Sequence, residues 1–241
     1  MTDPTLDYSV VIPVYNEEES LPPLVEGVAR AMDGVARPYE IVLVDDGSSD
    51  RSWQVMNDLR VRFPALHLVK FKRNCGQSAA FAAGFQAARG RVVITMDADL
   101  QNDPEDIPKL LALMGEWDAV CGWREKRQDS WLRLVSSRIA NGVRNWLSQE
   151  TIRDVGCSLK AFRAECVKRM KLFNGMHRFF PTLAKLDGYK VTEIPVKHHP
   201  RKYGKSKYGV WNRVFRSFVD LLAVRWMKKR WLKYEVEQET I

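Results

Sequence analysis

Short apolar runs rich in β-branched residues alternate along this chain with longer segments whose apolar residues recur every three or four positions. The two periodicities predict strands joined by helices, and hence an α/β fold with a mainly parallel sheet covered by helices on both faces. The predicted strands are residues 8–12, 40–44, 67–71, 92–96, 118–122 and 190–196. The predicted helices are residues 18–32, 50–63, 77–89, 131–147, 164–172, 178–186 and 208–233.

Polar clusters follow three of the predicted strands. They are residues 13–17 (PVYNE), residues 45–50 (DDGSSD) and residues 97–101 (DADLQ). In open parallel sheets, ligands bind beyond the carboxyl ends of the strands. We therefore expect the three clusters to converge on one rim of the sheet and to form a binding site there.

The cluster at 97–101 places two carboxylates, Asp97 and Asp99, directly after an apolar run that is predicted to be buried. Burying adjacent negative charges costs free energy unless a cation neutralises them. Mg²⁺ and Mn²⁺ prefer oxygen ligands and bind through one or two carboxylates together with substrate phosphates, so the pair predicts a divalent-metal site with Gln101 nearby. The alternative is an acidic loop in which Asn102 or Asp103 caps the following helix.

The cluster at 45–50 and the segment 74–80 (NCGQSAA) have simpler explanations. Ser49 and Asp50 suit a turn and a helix cap. Capping does not explain why Asp45 and Asp46 stand together at a strand end, and one of them is a candidate to accept hydrogen bonds from a nucleoside. The small residues that follow position 74 are explained by close packing of a helix on the sheet, so this segment receives little catalytic weight.

The composition indicates a globular protein. The 241 residues, of which 45% are hydrophobic and 28% charged, suit one large domain or a domain with an appendage. The four cysteines lack the paired short spacings of a zinc site, and we expect them to be reduced. The N-terminus shows no signal-peptide pattern, and no uncharged apolar run approaches the roughly 20 residues that span a bilayer.

The formal net charge of +8 is concentrated near the C-terminus. Residues 197–233 contain twelve Lys or Arg and one acidic residue, Asp220, whereas residues 1–196 hold equal numbers of acidic and basic residues. Such side chains are often merely solvated, but a ligand that carries phosphates needs cations. Arg binds phosphate oxygens in bidentate fashion and Lys adds a point charge, which makes Arg124 and the loop from Arg201 to Lys207 candidates.

Six motifs, in this order, resemble those of the family 2 inverting glycosyltransferases, and within them the dolichyl- and polyprenyl-phosphate sugar synthases. The motifs are VVIPVYNEEES, VLVDDGSSD, ITMDADLQNDPEDIP, CGWR, DVGCSLKAFR and RKYGKSKYG. The match runs from Ser9 to about Tyr208, which is most of the chain. The resemblance implies the GT-A nucleotide-diphospho-sugar transferase fold.

The resemblance also implies roles for individual residues. The nucleoside would contact Pro13, Tyr15, Glu17, Val44 and Asp46. Mg²⁺ or Mn²⁺ would bind Asp97, Asp99 and Gln101, and Ala98 between the two carboxylates would contact the donor. The phosphates of the donor would contact Arg124, Arg201 and Lys207, and the acceptor phosphate would contact Ser137 and Arg138.

The implied reaction is transfer of a hexose, with inversion, from a donor of the GDP-mannose or UDP-glucose type to polyprenyl or dolichyl phosphate. The acceptor phosphate is already an anion and needs little help from a general base. The alternative is a family member that acts on a sugar hydroxyl and needs a carboxylate base, for which Asp154 is the candidate. A non-catalytic nucleic-acid-binding protein would account for the pI of 9.3, but the acidic strand ends argue against nucleic acid as a partner.

The predicted final helix divides the chain into a catalytic domain, residues 1–207, and a basic helix with an acidic tail, residues 208–241. Apolar residues recur in this helix with a helical period: Trp211, Val214, Phe215, Phe218, Val219, Leu222 and Trp226. With the basic residues that follow, they predict a helix lying on an anionic membrane surface, at the cytoplasmic face of the inner membrane. The alternative is packing on the domain's own core or on a second subunit of a homo-oligomer.

Overall fold

The computed structural model describes residues 6–125, 152–203 and 210–232. Within these ranges one sheet is formed by β1 Tyr8–Val14, β2 Tyr39–Asp45, β3 Leu66–Lys70, β4 Val92–Thr95, β5 Ala119–Arg124, β6 Lys160–Arg163 and β7 Val191–Val196. The helices are α1 Leu21–Val35, α2 Ser52–Arg62, α3 Gln77–Ala87, α4 Ile107–Leu111, α5 Ala164–Arg169, α6 Phe180–Leu186 and α7 Val210–Arg230. Short 3₁₀ helices, Pro104–Asp106 and Met176–Phe179, precede α4 and α6.

The strands are arranged in the order β3-β2-β1-β4-β6-β5-β7. The strands β3, β2, β1 and β4 pair in parallel, β5 and β7 pair in parallel, and β6 runs antiparallel to its neighbours β4 and β5. The predicted α/β fold with a mainly parallel sheet is therefore confirmed. Sequence analysis missed β6 because four residues, Lys-Ala-Phe-Arg, are too few to show a period, and their strand conformation depends on the partners on either side.

The predicted helices and strands that fall in the described ranges are all present, with ends displaced by up to three residues. The largest shift at a helix start is in α1, which begins at Leu21 and not at residue 18. Pro22 and Pro23 occupy the first turn, where a missing backbone N–H costs nothing. The predicted helix at 131–147 lies outside the described residues.

Apolar side chains pack against both faces of the sheet. On one face, α1 buries Leu24, Val28 and Met32 at helical spacing in the same cluster as Ile12 and Leu43 of the sheet. This layer also contains residues of α2 and α4. Val14, Met96 and Ala98 belong to the same cluster, so this apolar layer reaches the strand ends that carry the polar clusters.

The other face is covered by α3, α5, α6 and α7. The rings of Phe81, Phe85 and Phe180 lie 5.3–5.9 Å apart between centroids and join α3 to α6. The helix α3 approaches β1 closely at Gly84, where an added Cβ would lie 2.3 Å from a methyl carbon of Val11. The small residues of α3 therefore serve the close packing that the sequence predicts.

The C-terminal helix α7 contributes to this second layer. Its Leu221 and Val224 are buried in the same apolar cluster as α3 and α6, whereas Phe218, Leu222 and Trp226 are exposed. Among the residues that the structure describes, every helix is too short or too polar to cross a bilayer. The predicted boundary between residues 1–207 and 208–241 lies outside the described residues, and the division into two parts stays a prediction.

Candidate active site

The carboxyl ends of β1, β2 and β4 border a cleft of about 450 Å³. All three predicted polar clusters contribute to its wall, as expected for strands that end at one rim of a parallel sheet. The predicted site residues that line the cleft are Pro13, Tyr15, Glu17, Asp46, Asp97, Ala98, Asp99, Gln101, Arg124 and Arg201. The predicted Ser137, Arg138 and Lys207 lie outside the described residues.

Each of the three loops that carry these clusters contains a residue with left-handed backbone geometry. Asn16, Gly47 and Leu100 have φ angles of 53°, 70° and 60°. A glycine adopts this geometry without cost, whereas at Leu100 the side chain makes the same backbone geometry strained. Strained backbone of this kind is concentrated at functional sites, where the surrounding structure holds it in place.

The first two loops are hydrogen-bonded to each other. The Asn16 N–H donates to Ser48 Oγ at 3.0 Å, and the Ser49 N–H donates to Asn16 Oδ1 at 2.8 Å. The Glu17 N–H donates to Ser52 Oγ at 2.8 Å. Ser49 thus joins two loops and does not cap α2 as predicted, because its partner is in the loop after β1.

Asp46 is held by the segment that leads into α3. Its carboxylate accepts hydrogen bonds from the N–H groups of Cys75 at 2.7 Å and Gly76 at 3.0 Å, and from Asn74 Nδ2 at 3.0 Å. Burial raises the pKa of Asp46, and the two backbone donors offset part of that rise. The segment 74–80, which sequence analysis gave little catalytic weight, therefore belongs to the site.

Val44 is the one predicted nucleoside contact in the described residues that does not line the cleft. Its side chain is fully buried in the apolar cluster under α3. Neighbouring residues of β2 point to opposite faces of the sheet, and both faces are buried, at Leu43 and at Val44. The Val44 side chain is a packing contact, and a role of this residue towards the nucleoside stays a prediction.

Asp97 lies at the end of β4 with a hydrogen-bond partner on either side. Gln77 Nε2 donates to Asp97 Oδ1 at 2.7 Å, and the Asp97 N–H donates to Ser158 Oγ at 3.1 Å. Loss of hydration and, next, the negative charge of Asp99 raise the pKa of Asp97 to about 6. The positive charge of Lys160 acts in the opposite direction and does not cancel this rise.

Asp99 differs from Asp97 because it has a cationic partner. Arg201 donates from a terminal nitrogen to Asp99 Oδ2 at 2.7 Å, and the backbone N–H of Gln101 donates to Asp99 Oδ1 at 3.2 Å. Arg201 thus contacts one carboxylate of the pair, and Lys160 lies close enough to Asp97 to act on its charge. The oxygen donors of Asp97, Asp99 and Gln101 are of the type that Mg²⁺ and Mn²⁺ prefer.

The alternative explanation of this acidic stretch was helix capping. Asp103 Oδ1 accepts a hydrogen bond from the Glu105 N–H at 3.0 Å and caps the 3₁₀ helix that begins at Pro104. Capping therefore accounts for Asp103, as predicted, and leaves Asp97 and Asp99 facing the cleft. The described residues contain no group of three or more His, Cys, Asp or Glu side chains arranged to hold a metal.

Arg124 and Asp154 form a bidentate ion pair at the edge of the cleft. Arg124 Nε lies 2.6 Å from Asp154 Oδ2, and a terminal nitrogen lies 2.9 Å from Asp154 Oδ1. Both side chains are largely buried, so the pair is well screened from water. The two parallel hydrogen bonds fix the orientation of the Arg124 guanidinium at the edge of the cleft.

Several residues that line the cleft had no role in the sequence analysis. They are Asn74, Gln77, Ser158, Lys160, His177 and Arg178. Ser158 and Lys160 lie inside the DVGCSLKAFR motif, which is the only signal that marks them. His177 comes from the C-terminal half of the chain, and only folding brings its Nδ1 to 2.8 Å from Ser78 Oγ on α3.

Comparison with known proteins agrees with the motifs. The family model Glycosyl transferase family 2 matches residues 9–170. Dodecaprenyl-phosphate galacturonate synthase of Rhizobium johnstonii is 43% identical over 226 residues, which is 91% of this chain and 67% of that protein. Undecaprenyl-phosphate 4-deoxy-4-formamido-L-arabinose transferase of Edwardsiella ictaluri is 44% identical over 205 residues, which is 84% of this chain and 63% of that protein. The chain thus spans about two thirds of the length of these relatives.

Among solved structures, glucosyl-3-phosphoglycerate synthase of Mycobacterium tuberculosis in complex with Mn²⁺ and uridine-diphosphate-glucose has the same fold. The TM-score is 0.67 at 17% identity, over 90% of this chain and 79% of that chain. The predicted GT-A fold is therefore confirmed. The motifs, the sheet and the family match lead to one conclusion: this chain belongs to glycosyl transferase family 2.

Proposed function

We propose that this chain is an inverting glycosyltransferase that moves a sugar from a nucleotide-diphospho-sugar to polyprenyl phosphate and uses Mg²⁺ or Mn²⁺. The observation that carries the proposal is the cleft in which the pair Asp97 and Asp99 lies together with Arg124, Lys160 and Arg201. Carboxylates beside cations form a site for a metal and a diphosphate. The names of the relatives, which refer to dodecaprenyl and undecaprenyl phosphate, support the acceptor class.

On the donor side, Pro13, Tyr15, Glu17 and Asp46 contact the nucleoside in this proposal, and Arg201 contacts the diphosphate. Arg201 uses one nitrogen for Asp99, and its guanidinium has further N–H donors with which it holds phosphate oxygens. The metal, when bound by Asp97, Asp99 and Gln101, supplies positive charge to the departing diphosphate. Lys207 would add a second phosphate contact.

On the acceptor side, the polyprenyl phosphate is the nucleophile and the protein's task is to orient it. Ser137 and Arg138 are the proposed contacts for its phosphate. The ion pair of Asp154 with Arg124 supports this acceptor over a sugar hydroxyl, because a hydroxyl needs a base and Asp154 is held as the partner of an arginine. Asp154 in this proposal orients Arg124 towards the phosphates.

The identity of the transferred sugar is the part of this proposal that a screen of donors decides. A donor of the GDP-mannose or UDP-glucose type follows from the family resemblance, whereas the relatives' names refer to galacturonate and to 4-deoxy-4-formamido-L-arabinose. The test is a screen of the full chain with radiolabelled GDP-mannose, UDP-glucose and UDP-galacturonate, undecaprenyl phosphate, and Mg²⁺ or Mn²⁺. We expect one label to enter the organic phase and EDTA to prevent this.

Asp99→Ala is the control variant for the screen. It should abolish transfer while leaving the circular dichroism spectrum unchanged, since among the described residues the Asp99 side chain hydrogen-bonds only to Arg201 and to the backbone N–H of Gln101. Transfer that survives EDTA in this variant would contradict the metal assignment. Transfer of label to a free sugar, and not to the lipid, would favour the hydroxyl acceptor.

We also propose that the chain rests on an anionic membrane surface, at the cytoplasmic face of the inner membrane, through α7. One side of this helix packs on the protein's own core through Leu221 and Val224, and the opposite side exposes 47% of Phe218, 43% of Leu222 and 65% of Trp226. Lys229 and Arg230 end the exposed stripe with positive charge. An apolar stripe with cationic ends is the pattern of an interfacial helix.

Sedimentation with lipid vesicles tests this localisation. The protein should bind vesicles that contain phosphatidylglycerol, and high salt should weaken the binding. Trp226→Ser should reduce it several-fold, whereas Val61→Ser, which changes an 85%-exposed residue of α2, should not. Equal binding by both variants would contradict the role of α7, and self-association through Trp226 would favour a homo-oligomer contact.

A further inference from the structure

The first residue of α3, Gln77, links two parts of the cleft that are far apart in sequence. Its Nε2 donates to Asp97 Oδ1 at 2.7 Å. The two residues before it, Cys75 and Gly76, donate their backbone N–H groups to Asp46 at 2.7 Å and 3.0 Å. The loop 74–77 therefore touches the proposed nucleoside contact at one end and a proposed metal ligand at the other.

The two carboxylates of the DxD motif are held in chemically different ways. Asp99 pairs with the cation Arg201, which reduces its net charge. Asp97 accepts from a neutral amide, which restricts the rotation of the carboxylate and leaves its charge intact. A cationic residue at position 77 would instead compete with a metal ion for the same oxygen.

Asp97 is also supported from the side opposite Gln77. Its N–H donates to Ser158 Oγ at 3.1 Å, and Ser158 Oγ in turn accepts from Asn102 Nδ2 at 2.7 Å. Ser158 thus holds the backbone of Asp97 and also hydrogen-bonds its carboxylate, and Gln77 adds a further hydrogen bond to that carboxylate. Removal of Gln77 leaves the contacts of Ser158 in place and weakens the hold on the orientation of the carboxylate.

We propose that Gln77 is a positioning residue: it orients Asp97 for the metal and, through Cys75 and Gly76, couples that orientation to Asp46 and the nucleoside. This inference rests on the proposed function. Partners that orient a metal ligand typically contribute 10- to 100-fold to metal affinity. We then expect bound metal to increase the affinity for nucleotide, and bound nucleotide to increase the affinity for metal. Part of this increase comes from direct contact between metal and nucleotide, and the rest depends on Gln77.

Isothermal titration calorimetry of the full chain with UDP, and with GDP in parallel, tests the inference with and without Mn²⁺. Without Mn²⁺, Gln77→Leu should bind nucleotide as the wild type does, because Asp46 and its donors are unchanged. With Mn²⁺, the wild type should bind nucleotide more tightly than it does without the metal. The increase in nucleotide affinity on addition of Mn²⁺ should be about tenfold smaller in Gln77→Leu than in the wild type. Gln77→Asn, which is polar but one methylene shorter, should lose a similar amount.

Gln86→Leu is the matched control. Gln86 lies on the same helix and is exposed, and within the described part of the chain its side chain makes one hydrogen bond, of 3.4 Å, to the Lys168 carbonyl. It should retain the full gain from Mn²⁺, and thermal melting should show all three variants folded. A full Mn²⁺-dependent gain in Gln77→Leu would overturn the positioning role, whereas a wild type that gains nothing from Mn²⁺ would overturn the proposed metal site itself.

Discussion

The two carboxylates of Asp97-Ala98-Asp99 lie in different electrostatic environments although they are only two residues apart. Asp99 has an arginine partner, while Asp97 has neutral hydrogen-bond donors and a pKa raised to about 6 by burial and by Asp99. The residue types predict a cation site, but they do not predict this asymmetry. It arises because Arg201 reaches one oxygen of one carboxylate across more than a hundred residues of sequence.

Replacement of Asp154 by Asn separates orientation from base catalysis. We expect kcat to fall roughly 10- to 100-fold, because Arg124 loses the bidentate partner that aligns it and small misplacements are costly. The pH–rate profile should keep its shape, because Asp154 in the proposed role orients Arg124 and takes no part in proton transfer.

Asp118→Asn provides the comparison for this prediction. Asp118 pairs with Arg163 at 2.8 Å, away from the residues that line the cleft, and its loss should leave kcat unchanged. Disappearance of an acidic limb from the profile of Asp154→Asn would identify Asp154 as a base and would revive the hydroxyl acceptor.

At the scale of elements, the turn after β2 depends on one glycine. Gly47 has φ of 70°, and an added Cβ would lie 2.4 Å from the backbone carbon of Arg73. We expect Gly47→Ala to destabilise the protein by at least about 1–2 kcal/mol and to weaken nucleotide binding, because the displaced chain leads to Asn74 and Asp46. Chemical denaturation and UDP titration measure the two effects.

Gly34→Ala is the matched change for Gly47. This residue lies in α1, is exposed, and has open space where a Cβ would be added. Alanine there should stabilise the protein by about 0.5–1 kcal/mol, because it removes glycine's conformational freedom in the unfolded chain. Equal stability of the two variants would contradict the importance of the left-handed turn.

The strands β1 and β2 and the connection before β4 are joined through the buried Glu40. Its Oε1 accepts from Ser9 Oγ at 2.7 Å and from the Arg89 N–H at 2.6 Å. Desolvation by itself raises the pKa of Glu40, but the donors of Arg89 and Ser9 outweigh it and hold that pKa below its ordinary value. A lowered folded-state pKa means that the carboxylate stabilises the fold when it is ionised.

Glu40→Gln should therefore lower the free energy of unfolding by about 2–3 kcal/mol at neutral pH. The wild type's advantage should be complete above the unfolded-state pKa near 4.5 and should shrink as the pH falls through the lowered pKa of the folded state. Urea denaturation of both proteins across this range measures the difference. An advantage that grows on acidification would contradict the assigned sign.

At the scale of the whole molecule, α7 has a core side and a solvent side. Leu221→Ala should cost about 2–3 kcal/mol of stability, because its side chain is 5% exposed and packs with α3 and α6. Leu222→Ala, at a neighbouring residue that is 43% exposed, should change stability by no more than about 0.5 kcal/mol. Equal effects in thermal denaturation would show that α7 does not dock as described.

One side of the final helix packs on the protein's own core, whereas the membrane contact of the other side stays a proposal. Periodicity predicts one apolar face, but the helix has apolar residues on a core side, such as Val224, and on an exposed side, such as Trp226. Sequence spacing cannot assign the two sides, because each is defined by what lies against it. The exposed side is the surface for which we propose a membrane.

The sequence by itself determined the fold class and the rim on which the site lies. The periods of strands and helices and the polar residues after strands are local properties of the sequence. The carboxyl ends of parallel strands necessarily lie at the same edge of the sheet. The tertiary structure alone decided which side chains meet: Arg201 with Asp99, Arg124 with Asp154, and Gln77 with Asp97. It also placed Val44 in the core and formed β6, because partners distant in sequence are chosen by packing and not by local preference.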